Sequence, residues 1–142
     1  MENPNITFYR KYIGQAITTA PSPLSNWLRG TILKVEENEL VIGFTVREEM
    51  TNPAKLLHGG MIAAIMDDVI GMQLFVSGTD GFYVSVSLHV DFLQAAPLGA
   101  EVRAVATIVR KGKRLINASC DLTLPNGILL ARGTAQLIPA EG

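Results

Sequence analysis

One long helical segment among strand-like segments is the feature that most constrains this fold. Residues 60–76 contain no proline, and their large apolar side chains recur at intervals of three and four, the spacing that builds one helix face. After Gly81, apolar and polar residues alternate instead, which is the period of a β-strand. Since a single long helix cannot cover both faces of a parallel sheet, the pattern favours an antiparallel sheet wrapped on one central helix.

The remaining segments fit that architecture. Before the helix we expect a short amphipathic helix at about 5–15 and an extended break imposed by two prolines at 20–23. We then expect two strands, at about 32–35 and 40–46, joined by an acidic turn. After it we expect alternating strands at about 84–92, 100–110 and 114–124, and a last strand that ends near 138. The sequence therefore predicts one α+β domain over 1–142, with an N-terminal helix and extended lead-in at 1–27. The hotdog fold has this order of elements.

Composition narrows the classes of function. Hydrophobic residues make up 48% and charged residues 18%, so a disordered or purely solvated chain is excluded. Twelve basic and thirteen acidic side chains leave a net charge of −1, which gives no overall field toward nucleic acid or a membrane surface. The first residues lack the pattern of a signal peptide, and no uninterrupted apolar run reaches the length of a bilayer span. We therefore expect a cytoplasmic protein with no nucleic-acid or membrane partner.

Cysteine and histidine content argues against thiol and metal chemistry. Cys120 is the single cysteine and shares its strand face with apolar residues, which predicts buried packing rather than a nucleophile. His58 and His89 have no metal-ligand spacing, so we expect no metal and no cofactor. His89 alternates with polar neighbours, and we expect it to be exposed or to face another subunit.

Two features of the helical segment could carry chemistry. Gly59 and Gly60 leave backbone N–H groups uncovered at the positive end of the helix dipole, where an oxyanion would be stabilised, although paired glycines can also simply form a tight turn. Asp67 shares a stripe of small residues with Gly60, which indicates a tight interface, although an ordinary exposed position also fits. Asp68 lies about 100° further round the helix and is expected to be the more solvated of the two aspartates.

The motif Asn52, His58-Gly59-Gly60 and Asp67 resembles the phenylacetic-acid-degradation-type group of hotdog acyl-CoA thioesterases, from about residue 28 to the C-terminus. The resemblance implies hydrolysis of acyl-CoA, with aryl, short-chain or medium-chain acyl groups all open, and with no cofactor. It implies that Asp67 is the general base or nucleophile, that the Gly59 N–H polarises the thioester carbonyl, and that Asn52 holds the carbonyl and water.

The same resemblance assigns further roles. Ser85, from the neighbouring subunit, would orient the acid or the water, His58 would be a positioning residue, and Gly60 would contact substrate. A homodimer is therefore the minimum unit, and we expect a homotetramer. The sequence departs from many relatives at Lys55-Leu56, where a small pair is usual, and at Asp68, a position that is often neutral.

A basic turn and two other functions complete the set of hypotheses. Lys111, Lys113 and Arg114 lie in a hairpin turn, where they would bind the phosphates of coenzyme A or simply form a solvated turn. An enoyl-thioester hydratase is a second hypothesis, but the helix has no histidine after Asp67. A non-catalytic acyl-CoA-binding module is a third, and product release on adding substrate would distinguish it from an enzyme.

Overall fold

The computed structural model describes residues 2–140, in which one antiparallel sheet wraps a long helix. The helices are α1 (Pro4–Tyr9), α2 (Pro23–Leu28) and α3 (Gly59–Val76), with single 3₁₀ turns at Arg10–Tyr12 and Glu48–Met50. The strands are β1 (Thr31–Val35), β2 (Glu39–Thr45), β3 (Tyr83–Phe92), β4 (Glu101–Lys111), β5 (Ile116–Thr123) and β6 (Leu129–Pro139). Their order across the sheet is β1-β2-β4-β5-β6-β3. The predicted hotdog fold of the α+β class is confirmed.

The core lies between α3 and the concave face of the sheet. Ile65, Met66 and Val69 on α3 are fully buried, so the three-and-four spacing corresponds to the face that packs on the strands. A Cβ at Gly133 of β6 would lie only 2.6 Å from the sulfur of Met66, so the missing side chain lets the helix approach the sheet. With 18 residues and a mean hydropathy of 1.5, α3 has the length and composition of a membrane span. In this fold eight of its residues are buried.

The N-terminal segment contains a helix that the sequence reasoning missed. The predicted helix at about 5–15 is formed by α1 and the following 3₁₀ turn, but α2 follows directly after the proline-rich break. Ser22 caps α2 by accepting a hydrogen bond from the Ser25 N–H (3.4 Å), and Pro23 occupies the first turn. Both are signals of a helix start. Six residues are too few for periodicity to reveal a helix.

Strand β3 lies at the edge of the sheet and is bulged at Val86. Ser85 pairs with Leu137 while Ser87 pairs with Gln136, which leaves Val86 as the extra residue. Directly opposite residues share a face of the sheet, and Leu137 is buried in the core. Ser85 therefore lies on the helix side of β3. Strict alternation after Gly81 would place Ser85 on the same face as Ser87, but the bulge reverses the alternation and separates the two serines.

Cys120 and His89 lie in the environments that the alternation of apolar and polar residues along their strands predicts. Cys120 has no exposed surface, and burial raises the pKa of its thiol to about 12, which excludes an activated thiolate at neutral pH. The prediction of buried packing is confirmed. His89 is exposed on β3, with Nε2 3.1 Å from Oδ1 of Asp91.

Candidate active site

The first turn of α3 is capped by a histidine. His58 has extended backbone dihedrals, and its Nδ1 accepts a hydrogen bond from the Gly60 N–H at 2.9 Å. Nδ1 is therefore an acceptor and already occupied, which fits a positioning residue better than a base. The Gly60 N–H is used by this cap, so Gly60 contributes only its bare Cα to the site. Within residues 2–140, the Gly59 N–H meets no hydrogen-bond acceptor, and it remains available to a ligand.

An aromatic ring covers the backbone next to this free donor. A Cβ built at Gly59 would lie 3.3 Å from the ring of Phe92, whose side chain remains 57% exposed. Phe92 closes β3, so the strand end places an apolar wall beside the helix start. A group bound to the Gly59 N–H would thus have an apolar neighbour on one side.

The loop before the helix is held by an amide side chain. Oδ1 of Asn52 accepts hydrogen bonds from the backbone N–H groups of Ala54 (3.0 Å) and Leu56 (3.1 Å), an Asx turn that fixes the approach to α3. Lys55 stands in this turn with a φ of 62°, and its Nζ lies 3.0 Å from a carboxylate oxygen of Glu48. Asn52 can therefore offer a substrate only its Nδ2 group.

The carboxylate of Asp67 is paired with a serine hydroxyl. Ser85 Oγ donates a hydrogen bond of 2.6 Å to Oδ1 of Asp67, and both side chains are exposed. The bulge at Val86 makes this contact possible, since it turns Ser85 toward α3. The contact forms within one chain, so the expectation that Ser85 comes from a neighbouring subunit was wrong. Oδ1 is held by the hydroxyl, and Oδ2 is left to face a reactant.

This pair lies in a groove between α3 and the edge strand. The groove has a volume of about 480 Å³ and is formed mainly by small side chains: Gly60, Ala63, Ala64, Asp67, Ser85, Val86, Ser87 and Leu88. The stripe of small residues on α3 predicts a close approach by other atoms, and the structure leaves this stripe uncovered. The free edge of β3 runs along the groove, so its backbone groups are open to a pairing strand.

The neighbouring aspartate has the opposite environment from the one predicted. Asp68 accepts hydrogen bonds from Ser25 Oγ at 2.8 and 3.0 Å, and Ser25 is only 3% exposed. Burial raises the pKa of Asp68, the Ser25 hydrogen bond lowers it, and the charge of Asp67 raises it further. The prediction that Asp68 is the more solvated aspartate was wrong, because the unforeseen helix α2 covers that side of α3. Ser25 is the partner that the sequence reasoning missed.

The structure does not bring the free N–H and the carboxylate together within one chain. Gly59 and Asp67 are eight residues apart on one helix, a separation of about 12 Å along the axis at 1.5 Å per residue. A donor to a carbonyl oxygen and a group that attacks its carbon must both lie within about 3–3.5 Å of the reacting atoms. One chain therefore supplies only one of these two functions to any one substrate.

The basic hairpin lies at the far end of the same helix. Lys111 Nζ donates to the hydroxyl of Thr79 (2.9 Å), just beyond the end of α3, while Lys113 and Arg114 are exposed. The 18 residues of α3 separate this hairpin from Gly59 by about 27 Å along the helix axis. Among residues 2–140, no group of three or more His, Cys, Asp or Glu side chains is placed to hold a metal ion.

The family follows from the comparison with known proteins. The profile of the thioesterase superfamily matches residues 54–131, which include the capped helix, Asp67 and Ser85. The chain belongs to the thioesterase superfamily. Acyl-coenzyme A thioesterase 13 of Mus musculus is 33% identical over 104 residues, covering 72% of this chain and 74% of the relative. The predicted enzyme class, a thioester hydrolase, is confirmed.

Solved structures agree with this membership. A phenylacetic acid degradation-related protein from Ralstonia eutropha has a TM-score of 0.75 at 29% identity, covering 84% of this chain and 92% of that protein. A thioesterase from Streptococcus pneumoniae, solved with coenzyme A, has a TM-score of 0.73 at 19% identity. The match covers 78% of this chain and 87% of that protein. The second likeness concerns the fold alone. The resemblance seen in the sequence motif is confirmed.

Proposed function

We propose that this protein hydrolyses acyl-CoA thioesters, with an aryl, short-chain or medium-chain acyl group, and that Asp67 is its general base or nucleophile. The observation that carries the proposal is the Asp67–Ser85 hydrogen bond of 2.6 Å in an open groove. A thioester needs an activated oxygen nucleophile and a donor aimed at the developing oxyanion. Further support comes from the curated relative that is named an acyl-coenzyme A thioesterase.

The chemistry follows from the two oxygens of the carboxylate. As general base, Oδ2 of Asp67 takes a proton from water while the water oxygen bonds to the thioester carbon; the C–S bond then breaks, and the sulfur leaves as CoA thiol with that proton. As nucleophile, Oδ2 bonds to the thioester carbon while the C–S bond breaks and CoA leaves as the thiolate. Water then cleaves the resulting anhydride, which releases the free acid, restores the Asp67 carboxylate and supplies the proton that the thiolate takes up. In both routes Ser85 holds Oδ1 and so fixes the direction of Oδ2.

The complete site is formed by two protomers. One chain cannot place its Gly59 N–H and its Asp67 on the same carbonyl, since they lie about 12 Å apart along α3. A two-fold axis beside the free edge of β3 reverses the direction of the partner's helix, which brings a second Gly59 toward this Asp67. The small stripe of Gly60, Ala63 and Ala64 permits that approach. In this dimer Asp67 and Ser85 come from one protomer, and Gly59, Asn52 and His58 come from the other.

Two further observations support a dimer. Val84, Val86 and Phe92 on the edge strand are 38%, 54% and 57% exposed, and apolar side chains beside an unpaired strand edge are typical of an association surface. Reversal of the helix also places the basic hairpin, with Lys111, Lys113 and Arg114, at the partner's Gly59 end, where it would bind the phosphates of coenzyme A. A tetramer would join two such dimers.

The test is thiol release from a panel of aryl and straight-chain acyl-CoA substrates. Asp67→Asn should lose at least about 10²-fold in kcat, the contribution of a general base, and Ser85→Ala should lose less, since the carboxylate remains. Asp68→Asn is the matched control, because it removes the adjacent charge on the same helix without touching the groove. An Asp67→Asn variant that keeps most of its activity would contradict the proposal. CoA binding without thiol release in the wild type would instead indicate a binding module.

A further inference from the structure

A second cavity lies on the opposite face of the sheet from α3, across β1, β2 and β4. Its volume is about 440 Å³. Thr31, Gly43 and Arg103 stand directly opposite one another on the three strands and therefore share this face. Their neighbours Val102 and Ala104 are buried toward the helix. The cavity is thus separated from the Asp67 groove by the thickness of the sheet.

Positive charge dominates the wall of this cavity. Arg29, Arg47 and Arg103 line it, against one carboxylate, Glu101. Arg47 is already engaged: it donates to two backbone carbonyls at the end of α2 (2.6 and 2.9 Å), and its Nε lies 3.4 Å from Glu49. Neither Arg29 nor Arg103 forms a salt bridge or a side-chain hydrogen bond within residues 2–140, and both are exposed. Arg29 lies within electrostatic range of the Glu49 carboxylate but forms no ion pair with it, so both guanidinium groups keep donors that can bind an anion.

The backbone at Arg29 gives an independent reason to look for a function. Arg29 ends α2 with a φ of 53° and a ψ of 51°, the left-handed conformation. Glycine is the favoured residue at this point of a helix terminus, because a Cβ is strained there. Strained residues of this kind cluster at active sites and ligand-binding sites, so the conformation of Arg29 is a reason to ask what its side chain binds. The Arg29 side chain, which a glycine would lack, lines the cavity.

The floor and size of the cavity indicate an organic ligand. A Cβ at Gly43 would lie 3.0 Å from Leu33 Cδ1, so the glycine keeps the floor open beside an apolar side chain. Hydroxyl groups of Thr31 and Thr45 and the ring of Pro125 complete the wall, although Thr45 also donates to Glu101 (2.7 Å). A volume of this order is typical of small-molecule sites and exceeds what a single inorganic ion needs.

We propose that this cavity binds an organic phosphate of about nucleotide size, with its phosphomonoester held by Arg29 and Arg103. Guanidinium groups bind phosphate oxygens in a bidentate manner, and the Thr31 hydroxyl adds a donor. The site does not depend on the proposed thioesterase mechanism, because it lies on the other face of the sheet and uses none of its residues.

Isothermal titration calorimetry of the full chain at low ionic strength tests the site, with adenosine 3′,5′-bisphosphate and inorganic phosphate as the two probes. The bisphosphate should bind more tightly than phosphate, and Arg103→Gln should weaken its binding at least about tenfold, the loss of one charge-assisted contact. Arg132→Gln is the matched control, because Arg132 lies on the same face of the sheet but is paired with Asp121 at 3.0 Å. That variant should bind like the wild type.

Arg29→Gly separates a structural role from a binding role. Glycine relieves the left-handed strain, so this variant should melt at the same or a higher temperature without ligand, and yet bind the bisphosphate at least tenfold more weakly. A variant that loses stability but binds normally would overturn the proposal. So would equal affinity for inorganic phosphate, or binding that is lost in Lys113→Gln and retained in Arg103→Gln, since the last result would place the bisphosphate at the hairpin.

Discussion

Replacing Gly59 with proline should remove the backbone donor of the site while α3 stays folded. Proline is tolerated at the first position of a helix, where the N–H has no partner within the helix. The preceding residue, His58, already has a ψ of 137°, the extended conformation that a following proline requires. A Cβ at Gly59 meets only the exposed ring of Phe92, at 3.3 Å. Gly59→Ala adds the same Cβ but keeps the N–H, and it is the matched control.

The expected size of the effect follows from the single group removed. Loss of one oxyanion donor lowers kcat by about 10²–10³-fold, or about 2.7–4 kcal/mol of transition-state stabilisation. Gly59→Ala should stay within about tenfold of the wild type, since its only new contact is with a half-exposed ring that can move aside. Thermal melts should show both variants folded, so that the kinetic difference can be assigned to the N–H.

Subunit mixing then tests whether the site is shared. Chains carrying Asp67→Asn and chains carrying Gly59→Pro are co-expressed with different tags, and the mixed dimers are isolated through both tags. If Asp67 of one protomer works with Gly59 of the other, each mixed dimer has one intact site and one doubly defective site. Thiol release should then return to about half of the wild-type rate per dimer, because one of two equivalent sites is whole.

Two results would refute this reasoning. Mixed dimers as inactive as either parent would mean that Asp67 and Gly59 act within one chain, in contradiction to their separation along α3. Equal activity of Gly59→Pro and Gly59→Ala would mean that the Gly59 N–H does not contact the reacting carbonyl. In either case the shared site would have to be abandoned, even if Asp67 proved essential.

Two further changes test the packing around α3. Gly133→Ala should destabilise the protein by about 1–3 kcal/mol in urea unfolding, because its Cβ would overlap the buried sulfur of Met66; unchanged stability would mean that the helix can move away from β6. Asp68→Asn should stabilise the protein at pH 7, since burial raises the pKa of Asp68 in the folded state and so disfavours its ionised form, while an asparagine oxygen still accepts from Ser25. The advantage should shrink as the pH falls toward the unfolded-state pKa of an aspartate, where the wild type binds its proton; melting temperatures measured from pH 4 to 7 that showed a constant difference would contradict this.

The order of elements was predictable from local patterns. The spacing of apolar residues in 60–76 and their alternation after Gly81 define which face of each element is apolar, and one long helix among strands leaves few ways to bury those faces. The motif of Asn52, His58-Gly59-Gly60 and Asp67 also stands in the sequence itself. It predicted the family before any contact was known.

The environment of each site residue depended on elements far away in the chain. A bulge at Val86, which alternation cannot reveal, turns Ser85 onto the side of Asp67. Helix α2 places Ser25, which precedes Asp68 by 43 residues in the chain, against the Asp68 carboxylate. Asp67 is therefore the more exposed of the two aspartates, the reverse of the expectation. Periodicity gives the direction of a side chain relative to its own element. Which atoms that side chain meets is decided by the packing of separate elements, and this packing became visible only in the tertiary structure.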